Sequence, residues 1–151
     1  MKVFWVSKRL AFGSAVTSQG HIEKLRSLGI THIINLRWST NARVRQFSHT
    51  WLRFHDDLKP RPRWFYRRDL NFYRKAIKHS QAKVFVMCHH GRCRSASLVY
   101  FLLRTEGRSV SSAEHLIAKV RSCASIVPAY KESADTFLNC VRSPSGHLKT
   151  T

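Results

Sequence analysis

Residues 84–103 read VFVMCHHGRCRSASLVYFLL and join three segments of different character. A β-branched apolar run, which with the preceding lysine spans 83–87, is typical of a buried strand, and the almost wholly apolar run from Ser95 is typical of a buried helix. A polar loop with one glycine connects them. Strand, glycine-containing loop and helix together aim backbone N–H groups and a helix N-terminus at one point, which stabilises an anion. The stretch therefore predicts a phosphate site.

Four residues of this loop have the chemistry that phosphate transfer needs. Cys88 begins the loop, and a thiol surrounded by amides with an arginine nearby is held as the thiolate, which is a nucleophile. Arg94 carries a planar fork that suits bidentate contact with phosphate oxygens. Gly91 lets the loop turn toward the ligand with no side chain in the way. Ser95 can donate its hydroxyl to the thiolate and ease its departure from a covalent intermediate.

The other polar loop residues allow more than one interpretation. They either face the substrate at a basic rim or are solvated positions that the loop tolerates. Cysteine and histidine also suggest zinc, but ligands so crowded lack the spaced pairs of a structural zinc site. We therefore expect neither a metal nor another cofactor. The predicted phosphate-binding residues are His89, His90, Gly91, Arg92, Cys93 and Arg94.

The rest of the chain alternates between predicted strands and helices. Four further strands are predicted at 3–6, 10–12, 31–36 and 51–55, the last because WLRFH alternates apolar and polar residues. Helices are predicted up to Gly29, from Trp64, from Ser95, from a capping box at 111–114, and along the face of Ala134, Phe137, Leu138 and Val141. We therefore expect a single-domain α/β fold, with about five strands flanked by helices, over residues 1–142, and a flexible tail at 143–151.

The composition is strongly basic. The chain has 27 lysines and arginines against 8 acidic residues, a formal net charge of +19. This favours a polyanionic partner such as RNA, although charge of this kind also serves solubility alone. No run approaches the roughly 18 apolar residues of a membrane span, and the opening residues do not form a signal peptide. We expect a cytoplasmic, soluble monomer whose four cysteines are mostly reduced.

The loop also resembles a known signature. Cys88, five residues, Arg94 and Ser95 are similar to C-x-x-G-x-x-R-[ST] of the cysteine-dependent protein tyrosine phosphatase superfamily, and the surroundings resemble its dual-specificity branch. The similarity includes GITHIINL, AKVRS and IVP, and covers roughly residues 10–141. The resemblance implies hydrolysis of phosphate monoesters, phosphotyrosine and also phosphoserine or phosphothreonine in proteins, through a phosphocysteine on Cys88. Arg94 and the loop amides would hold the phosphoryl oxygens, and no metal would be needed.

The resemblance also implies an aspartate that protonates the leaving oxygen, and two adjacent residues compete for this role. Asp56 keeps the strand parity of Leu52 and Phe54, so its side chain is expected on the face that they define. Asp57 is the alternative if the strand ends before that point. One of the two aspartates is expected to cap the loop instead.

The sequence departs from the family pattern at two positions. Met87 stands where a histidine usually precedes the cysteine, which removes a hydrogen-bonding group and suggests weaker activity. Cys93 lies at an offset where low-molecular-weight tyrosine phosphatases also have a cysteine. Their redox protection implies a reversible Cys88–Cys93 disulfide as a hypothesis, with a buried inert thiol as the alternative.

Other functions stay open at this stage. RNA 5′-phosphatases and phosphoinositide phosphatases have similar signatures, and a weakly active phosphate- or RNA-binding module is a third possibility. The stretches KPRPRWFYRR and RWSTNARVR mix cations with aromatic residues near the expected mouth. Such residues can line a binding path for nucleic acid. Alternatively, the aromatic residues can lie at the start of a helix and pack into the protein core.

Overall fold

The structure, a computed structural model, describes residues 1–142, so the tail predicted at 143–151 lies outside the described residues. Five strands form one sheet: β1 (Val3–Trp5), β2 (Leu10–Gly13), β3 (His32–Asn35), β4 (Ser48–Trp51) and β5 (Val84–Met87). The helices are α1 (Gln19–Ser27), α2 (Arg63–Ile77), α3 (Arg94–Thr105), α4 (Val110–Val120) and α5 (Pro128–Arg142), with a 3₁₀ helix at Ala42–Gln46. The predicted α/β fold with a five-stranded sheet is confirmed.

The order of the strands places the end of β5 at the centre of one sheet edge. The order is β1-β2-β5-β3-β4, with β1 antiparallel to β2 and all other neighbours parallel. The carboxyl ends of β2, β3, β4 and β5 therefore lie along the same edge. In open α/β sheets ligands bind outside this edge.

Helices cover both faces of the sheet. Val84 and Val86 point to the larger core with α2, α3, α4 and α5, whereas Phe85 and Met87 point to a smaller core with α1 and the 3₁₀ helix. Helix α3 is buried from Ser95 to Leu103, as its almost wholly apolar sequence predicts. Because α3 follows β5 directly, the connecting loop begins and ends on buried elements.

Two local predictions are wrong. The strand expected at 51–55 is β4, Ser48–Trp51, whose register with β3 ends at the pair Asn35–Trp51. Leu52 and Phe54 lie beyond this end but are buried, and each still donates one backbone N–H to the neighbouring segment, to Asn35 O and Leu36 O, so the alternating pattern outlasts the strand. The capping box expected at 111–114 is also misplaced, since the side chain of Ser109 accepts the N–H of Ser112 and caps α4 two residues before Ser111.

The aromatic residues at the start of α2 have divided roles. Phe65 and Tyr66 are buried in the larger core, so the interpretation of residues 64–66 as a nucleic-acid path is wrong for these two. Trp64 is 59% exposed. The helix therefore begins with one solvent-facing ring and continues as a core helix.

Candidate active site

A small cavity lies at the carboxyl end of β5, in the loop that joins β5 to α3. Its volume is about 140 Å³, and its lining residues are Asp56, Cys88, His90, Arg92, Cys93 and Arg94. A larger open hollow of about 560 Å³ near Trp5 and Lys83 contains no cysteine, histidine or carboxylate in its lining. The small cavity therefore brings together a thiol, cationic side chains and a carboxylate.

The sulfur of Cys88 is held on two sides. The Gly91 N–H donates to Cys88 Sγ at 3.2 Å, and Ser95 Oγ lies 3.3 Å from the same sulfur. Cys88 is 2% exposed and Ser95 is fully buried below it. An amide N–H that points at sulfur stabilises negative charge there, and the Ser95 hydroxyl can donate once the sulfur is a thiolate.

Gly91 is required at its position by both conformation and space. Its φ is +63°, in the left-handed region that glycine adopts without penalty. A Cβ atom on Gly91 would lie 2.3 Å from the carbonyl carbon of Gly13. The loop therefore packs directly against the end of β2, which the sequence pattern did not indicate.

Neighbouring segments hold the carbonyl groups of the loop away from the cavity. Ala15 N–H donates to His89 O at 3.3 Å, and Ser125 N–H donates to Arg92 O at 2.9 Å. Arg121 Nη2 donates to His90 O at 3.2 Å. With these carbonyls bonded outward, the negative ends of their dipoles are kept from an anion in the cavity.

Arg94 is the first residue of α3, so its side chain and the helix N-terminus both act on the cavity. Its Nη1 donates to the backbone carbonyl of Phe54 at 3.1 Å. This contact connects the loop to the segment that contains both candidate aspartates. The guanidinium keeps further N–H groups for phosphoryl oxygens.

The two aspartates have different surroundings. Asp56 lines the cavity with Cys88 and Arg94. Asp57 accepts from Arg61 Nη2 at 2.6 Å and from the Lys59 N–H at 3.0 Å. These contacts, the Lys59 N–H first, lower the pKa of the Asp57 carboxyl, and they close a turn over residues 57–61, whereas Asp57 does not line the cavity.

Cys93 and His89 are shifted toward their neutral forms. Burial raises the pKa of the Cys93 thiol, and the nearby Asp56 and Cys88 charges raise it further. The neighbouring His90 is the main cause that lowers the pKa of His89, followed by burial and by Arg37 and Arg94. Cys93 therefore tends to stay protonated beside Cys88, and all four cysteines are free thiols.

Asn35 fixes the backbone turn that follows β3, a role that the sequence alone did not indicate. Although polar, it is only 1% exposed at the end of β3. Its Oδ1 accepts the Arg37 N–H at 3.0 Å, and the indole N–H of Trp51 donates to Arg37 O at 2.9 Å. A polar residue that ends an apolar strand was the available signal.

Among residues 1–142, no three His, Cys, Asp or Glu side chains gather in a way that could hold a metal ion. Within the same range, every helix is too short or too polar to cross a bilayer.

Comparison with known proteins identifies the family of the chain. The family model described as "Dual specificity phosphatase, catalytic domain" matches residues 10–134, which is most of the chain. The protein is therefore a phosphatase by class. The chain belongs to the dual specificity phosphatase family, of which it contains the catalytic domain.

Solved structures of the same fold include human DUSP28, with 20% identity, a TM-score of 0.80 and coverage of 93% of this chain and 95% of the other. A mouse putative dual specificity phosphatase complexed with zinc tungstate has 21% identity, a TM-score of 0.79 and coverage of 92% and 87%. PTPMT1 in complex with PI(5)P has 19% identity, a TM-score of 0.78 and coverage of 91% and 94%. At these identities the likeness concerns the fold.

Proposed function

We propose that this phosphatase hydrolyses phosphate monoesters through a phosphocysteine on Cys88. The proposal rests on the surroundings of Cys88 Sγ. This sulfur accepts the Gly91 N–H, and Cys88 lines the same cavity as Arg94 and Asp56. A nucleophile, a fixed cation and an acid in one cavity are the groups that phosphoryl transfer requires.

The reaction has two steps. In the first, Cys88 Sγ attacks phosphorus, the bond to the ester oxygen breaks, and Asp56 gives its proton to the leaving alcohol. In the second, Asp56 takes a proton from water, the water oxygen bonds to phosphorus, and the S–P bond breaks to return the thiolate. Arg94 and the loop amides hold the equatorial oxygens in both steps. Ser95 donates to the departing sulfur.

Phosphotyrosine in proteins is the first candidate substrate, with phosphoserine and phosphothreonine beside it. A cavity of about 140 Å³ admits the phosphoryl group and leaves most of the ester outside. Such a site can accept both aryl and alkyl esters, since it does not need to enclose a tyrosine ring. We further propose that a monomer acts in the cytoplasm and that the catalytic domain spans residues 1–142.

A second candidate is an RNA 5′ end, which one surface beside the mouth favours. Trp38 is 58% exposed, and its ring centroid lies 4.3 Å from that of His55, the residue before Asp56. The Arg53 guanidinium lies 5.0 Å from the Trp38 ring and 4.8 Å from the Trp51 ring. Exposed aromatic rings with stacked cations bind bases and neutralise phosphates.

The same basic surface is compatible with two other candidate functions. Phosphoinositides are anionic, and PTPMT1, a structure of the same fold, is bound to PI(5)P. A phosphate- or RNA-binding module with weak activity is the remaining alternative. RNA affinity that falls with salt, without measurable turnover, is the result that this last candidate requires.

Turnover of para-nitrophenyl phosphate tests the reaction. We expect hydrolysis without added metal and in the presence of a chelator, and loss of turnover in Cys88→Ser. A serine variant as fast as the wild type, or full inhibition by EDTA, contradicts the cysteine mechanism.

A pair of tryptophan variants separates the candidate substrates. The test compares kcat/KM for a phosphotyrosine peptide and for a 5′-phosphorylated RNA in Trp38→Ala and in Trp64→Ala, which removes an equally exposed ring at the start of α2. The RNA candidate requires a loss of about tenfold for RNA in Trp38→Ala alone, the size of one lost base stack. Equal values for the two variants contradict it.

A further inference from the structure

We propose that the Tyr130 hydroxyl is a positioning group that fixes the general acid, an inference that rests on the proposed function and deepens it. The segment concerned is the acid turn, residues 54–58, which contains Asp56 and Asp57. Tyr130 lies in α5, far from the acid turn in sequence, and does not line the cavity.

A single hydroxyl bonds to both sides of the acid turn. Tyr130 OH donates to His55 O at 3.1 Å and accepts the Leu58 N–H at 3.0 Å. These two backbone groups flank the pair Asp56–Asp57. The distance between the two ends of the pair is therefore fixed by one oxygen atom, which is attached to a helix of the core.

The acid turn needs such a support because its backbone is strained. Leu58 has a φ of +59°, and among residues 1–142 it is the one non-glycine residue with a positive φ. This conformation is unfavourable for a leucine, and the side chain is 64% exposed, so burial does not compensate for it. The hydrogen bond from the Leu58 N–H to Tyr130 is a contact that stabilises this conformation.

The ring of Tyr130 has a separate role from its hydroxyl. The ring centroid lies 4.5 Å from that of Phe54, and the Arg61 guanidinium covers both rings at 5.1 and 5.6 Å. Phe54 O in turn accepts from Arg94. A Tyr130→Phe substitution keeps these ring contacts and removes only the oxygen that spans the turn.

The hydroxyl should therefore influence the proton transfers of Asp56 and not the attack by Cys88. A general acid must stay within hydrogen-bond reach of the leaving oxygen, and small displacements lower the rate. The position of Cys88 depends on the loop after β5, which Tyr130 does not contact by any hydrogen bond found among the described residues. Loss of the hydroxyl thus resembles partial loss of Asp56.

The dependence on the leaving group tests this role. Para-nitrophenyl phosphate has a leaving group that departs without much protonation, whereas phenyl phosphate, of nearly the same shape, needs the acid. We expect Tyr130→Phe to lower kcat/KM for phenyl phosphate by about tenfold, while kcat/KM for para-nitrophenyl phosphate stays close to wild type. This ratio reports the steps up to transfer of the phosphoryl group to Cys88, and it excludes the later hydrolysis of the phosphocysteine, in which Asp56 serves both esters alike. Asp56→Asn should show the same selectivity more strongly.

Two controls separate positioning from stability. Tyr100→Phe removes a hydroxyl that donates to Asp135 on α5 and has no bond to the acid turn, so it should lower the melting temperature without leaving-group selectivity. In an Asp56→Asn background, Tyr130→Phe should cause no further loss of activity on phenyl phosphate, because the carboxyl group that the Tyr130 hydroxyl positions is gone.

Each outcome decides between the two claims. Equal losses on both esters in Tyr130→Phe, unchanged kinetics, or a variant that is unfolded at the assay temperature overturns the positioning role. If Asp56→Asn shows selectivity and Tyr130→Phe does not, the proposed function stands and only this inference fails. If Asp56→Asn shows none, the assignment of the acid fails and the inference fails with it.

Discussion

Arg94 donates through Nη1 to the backbone carbonyl of Phe54, 3.1 Å away, and thereby joins the loop after β5 to the acid turn. The two parts of the proposed reaction centre come from segments 40 residues apart in sequence. One guanidinium can fix the position of the loop relative to the acid turn because its N–H groups have a rigid planar geometry.

Replacement of Arg94 by lysine should therefore lower the activity strongly, although the positive charge is kept. Lysine keeps the positive charge but cannot bond Phe54 O and two phosphoryl oxygens with one planar fork. We expect kcat/KM for para-nitrophenyl phosphate to fall by about 10²-fold, with little change in melting temperature. A lysine variant within a few-fold of wild type would contradict the assigned role of the fork.

The two neighbouring aspartates should behave differently. Asp56→Asn should strongly lower kcat for poor leaving groups, since it removes the acid that lines the cavity. Asp57→Asn should mainly weaken the contact with Arg61 and thus lower stability slightly. Measurement of kcat on phenyl phosphate beside thermal unfolding distinguishes them, and a larger kinetic loss in Asp57→Asn would reverse the assignment.

Gly91→Ala should disrupt the loop. The added Cβ would meet the backbone of Gly13 at 2.3 Å, and the positive φ would become strained. Gly107→Ala is the matched control, because Gly107 also has a positive φ of +92° but an open surrounding. We expect both to lose stability and only Gly91→Ala to lose nearly all turnover; comparable activity in the two would argue against the close packing.

Asp69 should make the protein less stable as the pH rises. It is fully buried in α2, neither carboxyl oxygen has a hydrogen-bond partner, and burial raises the pKa of the carboxyl well above its usual value. The folded state therefore keeps a proton that the unfolded state releases above about pH 3.9. Between the two pKa values the free energy of unfolding falls by about 1.4 kcal/mol per pH unit.

Urea unfolding between pH 5 and pH 8 checks this, with Asp69→Asn as the comparison. The asparagine side chain cannot ionise. As the pH rises, the free energy of unfolding of the wild type should therefore fall relative to that of Asp69→Asn. Parallel profiles for the two proteins would show that Asp69 does not titrate in this way.

Much of the fold follows from periodicity in the sequence. The strand before Cys88 and the buried helix after it were predictable because both are apolar on nearly all sides, which only central elements can be. The strand expected at 51–55 was wrong in its bounds because alternation reports burial, and Leu52 and Phe54 are buried beyond the end of β4, where only single backbone N–H groups still bond to Asn35 and Leu36. A burial pattern cannot show where the neighbouring strand ends.

The support of the candidate site was less predictable than its reacting groups. Cys88 and Arg94 stand out by spacing within one loop. The Tyr130 hydroxyl bonds to a backbone group that is distant in sequence, and the Asn35 side chain bonds to a backbone group in the turn after β3. Neither kind of bond produces a periodic pattern in the sequence. The choice between Asp56 and Asp57 depended on the turn that Arg61 closes, which is a contact between side chains.

The phosphocysteine itself can be trapped and located in the sequence. Para-nitrophenyl phosphate is mixed with the Asp56→Asn variant, the reaction is stopped with acid within one turnover, and the peptides are analysed by mass spectrometry. We expect one phosphoryl group on Cys88 and none on Cys93, Cys123 or Cys140. A phosphoryl group on any other residue, or turnover that continues in Cys88→Ser, would contradict it.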